Sequence, residues 1–77
     1  MRFSRHAKNN MRLYGVTVAD IEQVLEDPDR REEEGKYLVA YRQFFRRFGN
    51  LPLKVVSVME DGQVIVSVYP LRKSYRR

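Results

Sequence analysis

Apolar residues recur along the first part of the chain at helical spacing. Phe3, Ala7, Met11 and Tyr14 fall three or four residues apart, which lines them along one face of a helix over residues 4–14. Ser4 can cap that helix, because its hydroxyl can accept from an early backbone N–H. Gly15 ends it, where a positive φ is usually needed. A second helix begins at Thr17, with Asp20 three residues on as a variant capping box. Val18, Ile21, Val24 and Leu25 form its inward face. Asp27-Pro28 stops it, since the residue before a proline avoids helical geometry. Two short helices joined by a glycine turn predict an αα-hairpin.

The pattern then changes to that of strands. Residues 36–45 are rich in Tyr, Val and Phe. Residues 53–59 and 64–69 flank Glu60-Asp61-Gly62-Gln63, in which Asp-Gly signals a tight hairpin. Strict alternation around that turn puts Leu53, Val55, Ser57 and Met59 on one face with Val64, Val66 and Val68. That drier face is expected to receive the helices. Lys54, Val56, Val58, Ile65, Ser67 and Tyr69 make the other face, mixed enough to carry a ligand. Pro70 ends the last strand. Residues 32–35 lead into the first strand or add a short edge to it. The expectation is one α+β domain over residues 1–77: an N-terminal two-helix hairpin packed on a three- to four-stranded antiparallel sheet.

Length and composition narrow the chemistry. With 77 residues, no cysteine and one histidine, the chain lacks the means for disulfides, thiolate metal sites and histidine-rich metal sites. No cofactor or metal is expected. A core of this size supplies only about 3–5 kcal/mol of net stability, so a homodimer or partner chain is an expected source of more. No apolar run is long enough to span a membrane. Met1–His6 has charge but no apolar stretch behind it, unlike a signal peptide. The expected location is the cytoplasm.

Net charge is +5, and it is unevenly spread. Eight of ten acidic residues fall between Asp20 and Glu34, whereas thirteen of fifteen basic residues lie outside that stretch. Basic flanks beside aromatics suit a phosphate polymer such as RNA, although solvated surface charge reads the same way. The second helix carries four acids and no base, so phosphate would repel it from a DNA groove, and a helix-turn-helix reading fails.

His6 is the first candidate for chemistry, because imidazole alone titrates near neutrality without help. It falls beside the apolar stripe of its helix, at the edge between helix and sheet. A surface or helix-end histidine is the competing reading. Arg42 interrupts an apolar strand and needs water, an acidic partner or a ligand. Lys54 and Tyr69 project from the mixed face, with Arg72 just beyond. Arg46 and Arg47 lie in Phe44-Phe45-Arg46-Arg47-Phe48-Gly49-Asn50-Leu51-Pro52, which either stacks a base and holds its phosphate or finishes the core and meets a partner. Lys73 and Arg76 belong to a basic tail that clamps a phosphate backbone or simply solubilises the end.

The stretch His6-Ala7-x-x-x-Met11-x-x-x-Gly15-Val16-Thr17-x-x-Asp20-Ile21-x-x-Val24-Leu25 resembles the opening of a family of short prokaryotic proteins. They are catalogued mainly as a domain of unknown function and grouped with RelE-like toxins. Residues 64–71, ending in Tyr-Pro-Leu-Arg, are also similar. The resemblance implies a fold of the barnase–EndoU–colicin–RelE class. It further implies metal-independent RNA cleavage through attack by the 2′-hydroxyl, a 2′,3′-cyclic phosphate product and neutralisation by an antitoxin protein. On that analogy His6 maps to the family's N-terminal histidine. Arg42, Tyr69 and Arg72 complete an inferred catalytic set, with Lys54, Arg46, Arg47, Lys73 and Arg76 on nucleic acid. Residues 44–52 depart from the usual short strand connection. The alternative function is a non-catalytic RNA-binding or protein-interaction module.

Overall fold

The computed structural model describes residues 1–73. In chain order the elements are β1 (Arg2–Phe3), α1 (Arg5–Tyr14), α2 (Val18–Glu26), β2 (Arg30–Glu34), β3 (Tyr37–Gln43), a 3₁₀ turn at Phe48–Asn50, β4 (Pro52–Met59) and β5 (Gln63–Pro70). Both helices start where their capping residues place them. The Ser4 hydroxyl accepts from the Ala7 amide, and Gly15 closes α1 at φ 67° with its amide donating to the Met11 carbonyl. Thr17 and Asp20 complete a reciprocal capping box, which satisfies two backbone donors that a helix start leaves open.

The fold is α+β, but the sheet of the described residues has five strands and is mixed. The order is β1-β5-β4-β3-β2. β2 through β5 pair antiparallel, whereas β1 joins β5 in parallel. The expected αα-hairpin is also corrected. α1 packs on β5 and β1, and α2 packs on β4 and β3, so each helix is held by the sheet rather than mainly by its neighbour. Residues 30–34, Arg-Arg-Glu-Glu-Glu, form a full edge strand. Charge on an edge strand discourages pairing with another chain.

One irregularity re-aims β5. Val55 lies opposite Val68 and Val56 opposite Ser67, but Ser57 lies opposite Ile65, leaving Val66 as the extra residue of a β-bulge. The bulge shifts inward–outward alternation by one position. Ile65, expected on the ligand-bearing face, is therefore fully buried in the core, and Val66 is only half-buried. Ile65 joins Ala7, Val16, Ile21, Val24, Ala40, Phe44, Leu53, Val55 and Val68 in a single core cluster. Two helix positions depart from the expected inward faces. Tyr14 and Val18 are exposed, and Val16 in the connecting turn is buried instead.

The bulge yields a specific expectation for stability. Ile65→Val costs about 0.5–1.5 kcal/mol as a buried methylene deletion, whereas Val66→Thr changes stability by roughly 0.5 kcal/mol or less. Urea unfolding of the two variants checks the order. Unbroken alternation would reverse it. Among the described residues, no helix is long and apolar enough to cross a membrane.

Candidate nucleic-acid interface

The two helices occupy one face of the sheet, and the other is left without a covering element among the described residues. Cross-strand register defines this open face. Tyr37, Val39 and Tyr41 of β3 lie opposite Val58, Val56 and Lys54 of β4. Lys54, Val56 and Val58 in turn lie opposite Tyr69, Ser67 and Val64 of β5. Its centre is dry, because Val39, Tyr41 and Val58 are buried.

The structure places His6 at the rim of this face, by way of the bulge. The Ser4 hydroxyl donates to the Val66 carbonyl at 2.7 Å, and Asn10 Nδ2 donates to the Val68 carbonyl at 3.0 Å. These bonds hold α1 along the outer edge of β5, which β1 covers only at Val64 and Ile65. From the first turn of α1, His6 Nε2 then reaches Ser67 Oγ at 3.1 Å. Ser67 shares its face with Tyr69, two residues along the strand.

Tyr69 and Lys54 are directly opposed in the ladder. Lys54 Nζ lies 5.5 Å from the Tyr69 ring centroid and 5.9 Å from that of Tyr41. Partial burial by itself would lower the Lys54 pKa. Contact with the Tyr69 hydroxyl and the Tyr41 phenol outweighs that effect and raises it. The lysine is therefore charged throughout the physiological range. Burial raises the Tyr41 pKa, and its hydroxyl donates to Glu32 at 3.4 Å.

Charge on the open face is graded rather than uniformly positive. Glu32 and Glu34 on β2 lie across from Val39 and Tyr37. Arg30 bonds Glu32 and lies over the Tyr41 ring at 5.2 Å. The β2 edge is therefore the acidic side, and the cationic side is nearer β5, with Lys54. A phosphate would favour that second side.

Several proposed phosphate ligands do not join this group. Arg42 belongs to the helix-bearing face, opposite Leu53. Its Nη1 donates to the Asp27 carbonyl at 2.7 Å and pairs with the Asp27 carboxylate at 3.1 Å. A cation there complements the C-terminal end of α2. Arg47 grips Asp20 through two bonds of 2.5 and 2.7 Å and lies over the Phe48 ring at 4.7 Å. Arg46 is exposed in the strand connection and lies over the exposed Phe45 ring at 5.2 Å. Arg72 and Lys73 are exposed just beyond β5, and Arg76 lies outside the described residues.

A second concavity adjoins the open face at the end of β5. It is a cleft of about 630 Å³ shaped by Tyr14 of α1, Phe48 and Leu51 around the 3₁₀ turn, and Tyr69, with Pro70, Leu71 and Arg72 completing its wall. Sequence reasoning missed this cleft, and missed Ser67 as a partner for His6. Residues 14, 48 and 69 belong to three elements whose convergence no local pattern records. Ser67 carried a weak signal, being a small polar residue on an otherwise apolar strand.

A family model described as "Domain of unknown function (DUF4258)" matches residues 3–70. No curated protein matches the chain, and no solved structure does.

Proposed function

The chain belongs to the DUF4258 family, a domain family of unknown function, and we propose that it is a RelE-like endoribonuclease toxin working on the open face of the sheet. The observation that supports this reading is the convergence there of His6, Ser67, Tyr69 and Lys54. RNA cleavage by internal attack needs a base for the 2′-hydroxyl, an acid for the leaving 5′-oxygen and a cation on the phosphate. His6 is the base, oriented by Ser67. Lys54 holds the phosphate, and Tyr69 beside it donates the proton to the departing oxygen. The 2′-oxygen bonds to phosphorus as the bond from phosphorus to the 5′-oxygen breaks. The products are a 2′,3′-cyclic phosphate and a free 5′-hydroxyl. Of the arginines and lysines suggested by sequence, this scheme retains Lys54 at the reacting phosphate. Arg72 and Lys73 serve neighbouring phosphates. An antitoxin protein partner in the cytoplasm belongs to the same reading.

The test is incubation of the purified protein with RNA in excess chelator, with product ends determined. Cyclic phosphate and 5′-hydroxyl ends that disappear in Lys54→Ala are the expected result. Intact RNA, alongside growth unaffected by expression, would overturn the proposal.

One observation favours the non-catalytic alternative. Arg42 and Arg47 are both held by aspartates, which leaves fewer cations for a transition state. An RNA-binding module predicts salt-sensitive binding with no product ends, unchanged by His6→Ala.

A further inference from the structure

We propose that the cleft at the end of β5 is a subsite for one unpaired base of a single-stranded RNA, the base next to the phosphate held at Lys54. This deepens the ribonuclease reading and rests on it for the identity of the strand. Three features carry it. The first is shape and lining: about 630 Å³ lined by the aromatic residues Tyr14, Phe48 and Tyr69 with Leu51 and Pro70. That volume is in the range of small-molecule sites, and aromatic walls stack any base because every base has a π-face.

The second feature is charge. Among the described residues no carboxylate lines the cleft, and Arg72 stands at its wall. An anionic strand can enter without opposition there, unlike at the Glu32 and Glu34 edge. The third is continuity. Tyr69 lines the cleft and also carries Lys54 at 5.5 Å from its ring centroid. One residue thus links the base subsite to the phosphate site. The walls are also held in place. Arg47 fixes the strand connection to α2 through Asp20, and Phe48 packs edge-on to the core residue Phe44 with ring centroids 5.4 Å apart. A duplex cannot use such a cleft, since its bases are stacked within the helix. The enzyme therefore selects unpaired segments.

The experiment is a titration with a short single-stranded 2′-deoxy oligonucleotide, which lacks the attacking hydroxyl and so reports binding apart from cleavage. Aromatic NMR signals of Tyr14 and Phe48 should shift, and Tyr14→Ala should weaken binding by about tenfold, the scale of one base–aromatic stack. Tyr14→Phe, which keeps the ring, should bind as wild type. Tyr14 is 43% exposed at the end of α1, so its replacement leaves the core intact. Wild-type affinity in Tyr14→Ala, binding without shifts at these rings, or equal affinity for a duplex would each overturn the proposal. The two readings fail separately. Cleft binding by a protein that leaves the ribose strand intact supports the subsite and removes the nuclease, whereas cleavage with a silent cleft removes the subsite alone.

Discussion

On the proposed ribonuclease reading, His6→Ala is expected to lower RNA cleavage by about 10²- to 10⁴-fold, the usual contribution of a positioned acid or base, and to leave RNA affinity within a factor of a few. The reason is position. The imidazole is exposed at the start of α1, where it bonds the Ser67 hydroxyl. It contributes little burial, so its removal leaves no cavity. In the proposed scheme phosphate affinity rests instead on Lys54 and the cations beyond β5. Ser67→Ala should give a smaller loss of cleavage, because it removes the group that orients the ring and not the ring itself. Single-turnover cleavage, paired with filter binding at two salt concentrations, separates these effects. A His6→Ala protein that cleaves at the wild-type rate would exclude imidazole catalysis. A protein that also binds more weakly would mean that His6 acts as a phosphate ligand.

The helices and the hairpin were readable because their signals are local. Ser4, Gly15 and Thr17 cap within a few residues of the groups they satisfy. Asp61 and Gly62 both take positive φ at the hairpin tip, as a tight turn of this kind requires. What was not readable depends on distance in the chain. β1 has two residues, too few for a period of two to register, and it exists only because β5 offers an edge more than sixty positions away. The bulge at Val66 is invisible to alternation, since alternation assumes that no residue is skipped. Its effect on the open face was large, moving Ile65 into the core and freeing the Val66 carbonyl for Ser4. The candidate site follows the same division. His6, Lys54 and Tyr69 are conspicuous as residue types. The sequence offers no means of knowing that Arg42 and Arg47 are claimed by Asp27 and Asp20, respectively 15 and 27 positions away.

Asp20→Ala should cost roughly 2–4 kcal/mol, most of the stability expected for a core this small. The Asp20 side chain is 7% exposed and that of Arg47 42%, so the pair is only half removed from water and falls below the full cost of a deeply buried one. The carboxylate nevertheless serves two structures at once. It accepts from the Thr17 amide at 2.9 Å, completing the cap of α2, and it holds the Arg47 guanidinium. Removing it frays the helix start and releases the strand connection of residues 44–51 together. Acid should expose the same dependence. Burial pushes the Asp20 pKa up, but the bonds from Arg47 and Thr17 together pull it below the ordinary carboxylate value. The folded-state pKa is thus lower than the unfolded one. The stabilisation is present in full above the unfolded value of about 3.9 and is lost as pH falls through the folded value. Arg47 stays charged throughout and contributes no slope of its own. Urea unfolding from neutral pH downward should therefore show a steeper acid loss in the wild type than in Asp20→Asn, which has already lost the charge. Parallel curves would mean that the carboxylate gains nothing from Arg47, and the strand connection would then owe its order to the Phe44–Phe48 packing and to the bonds around Asn50.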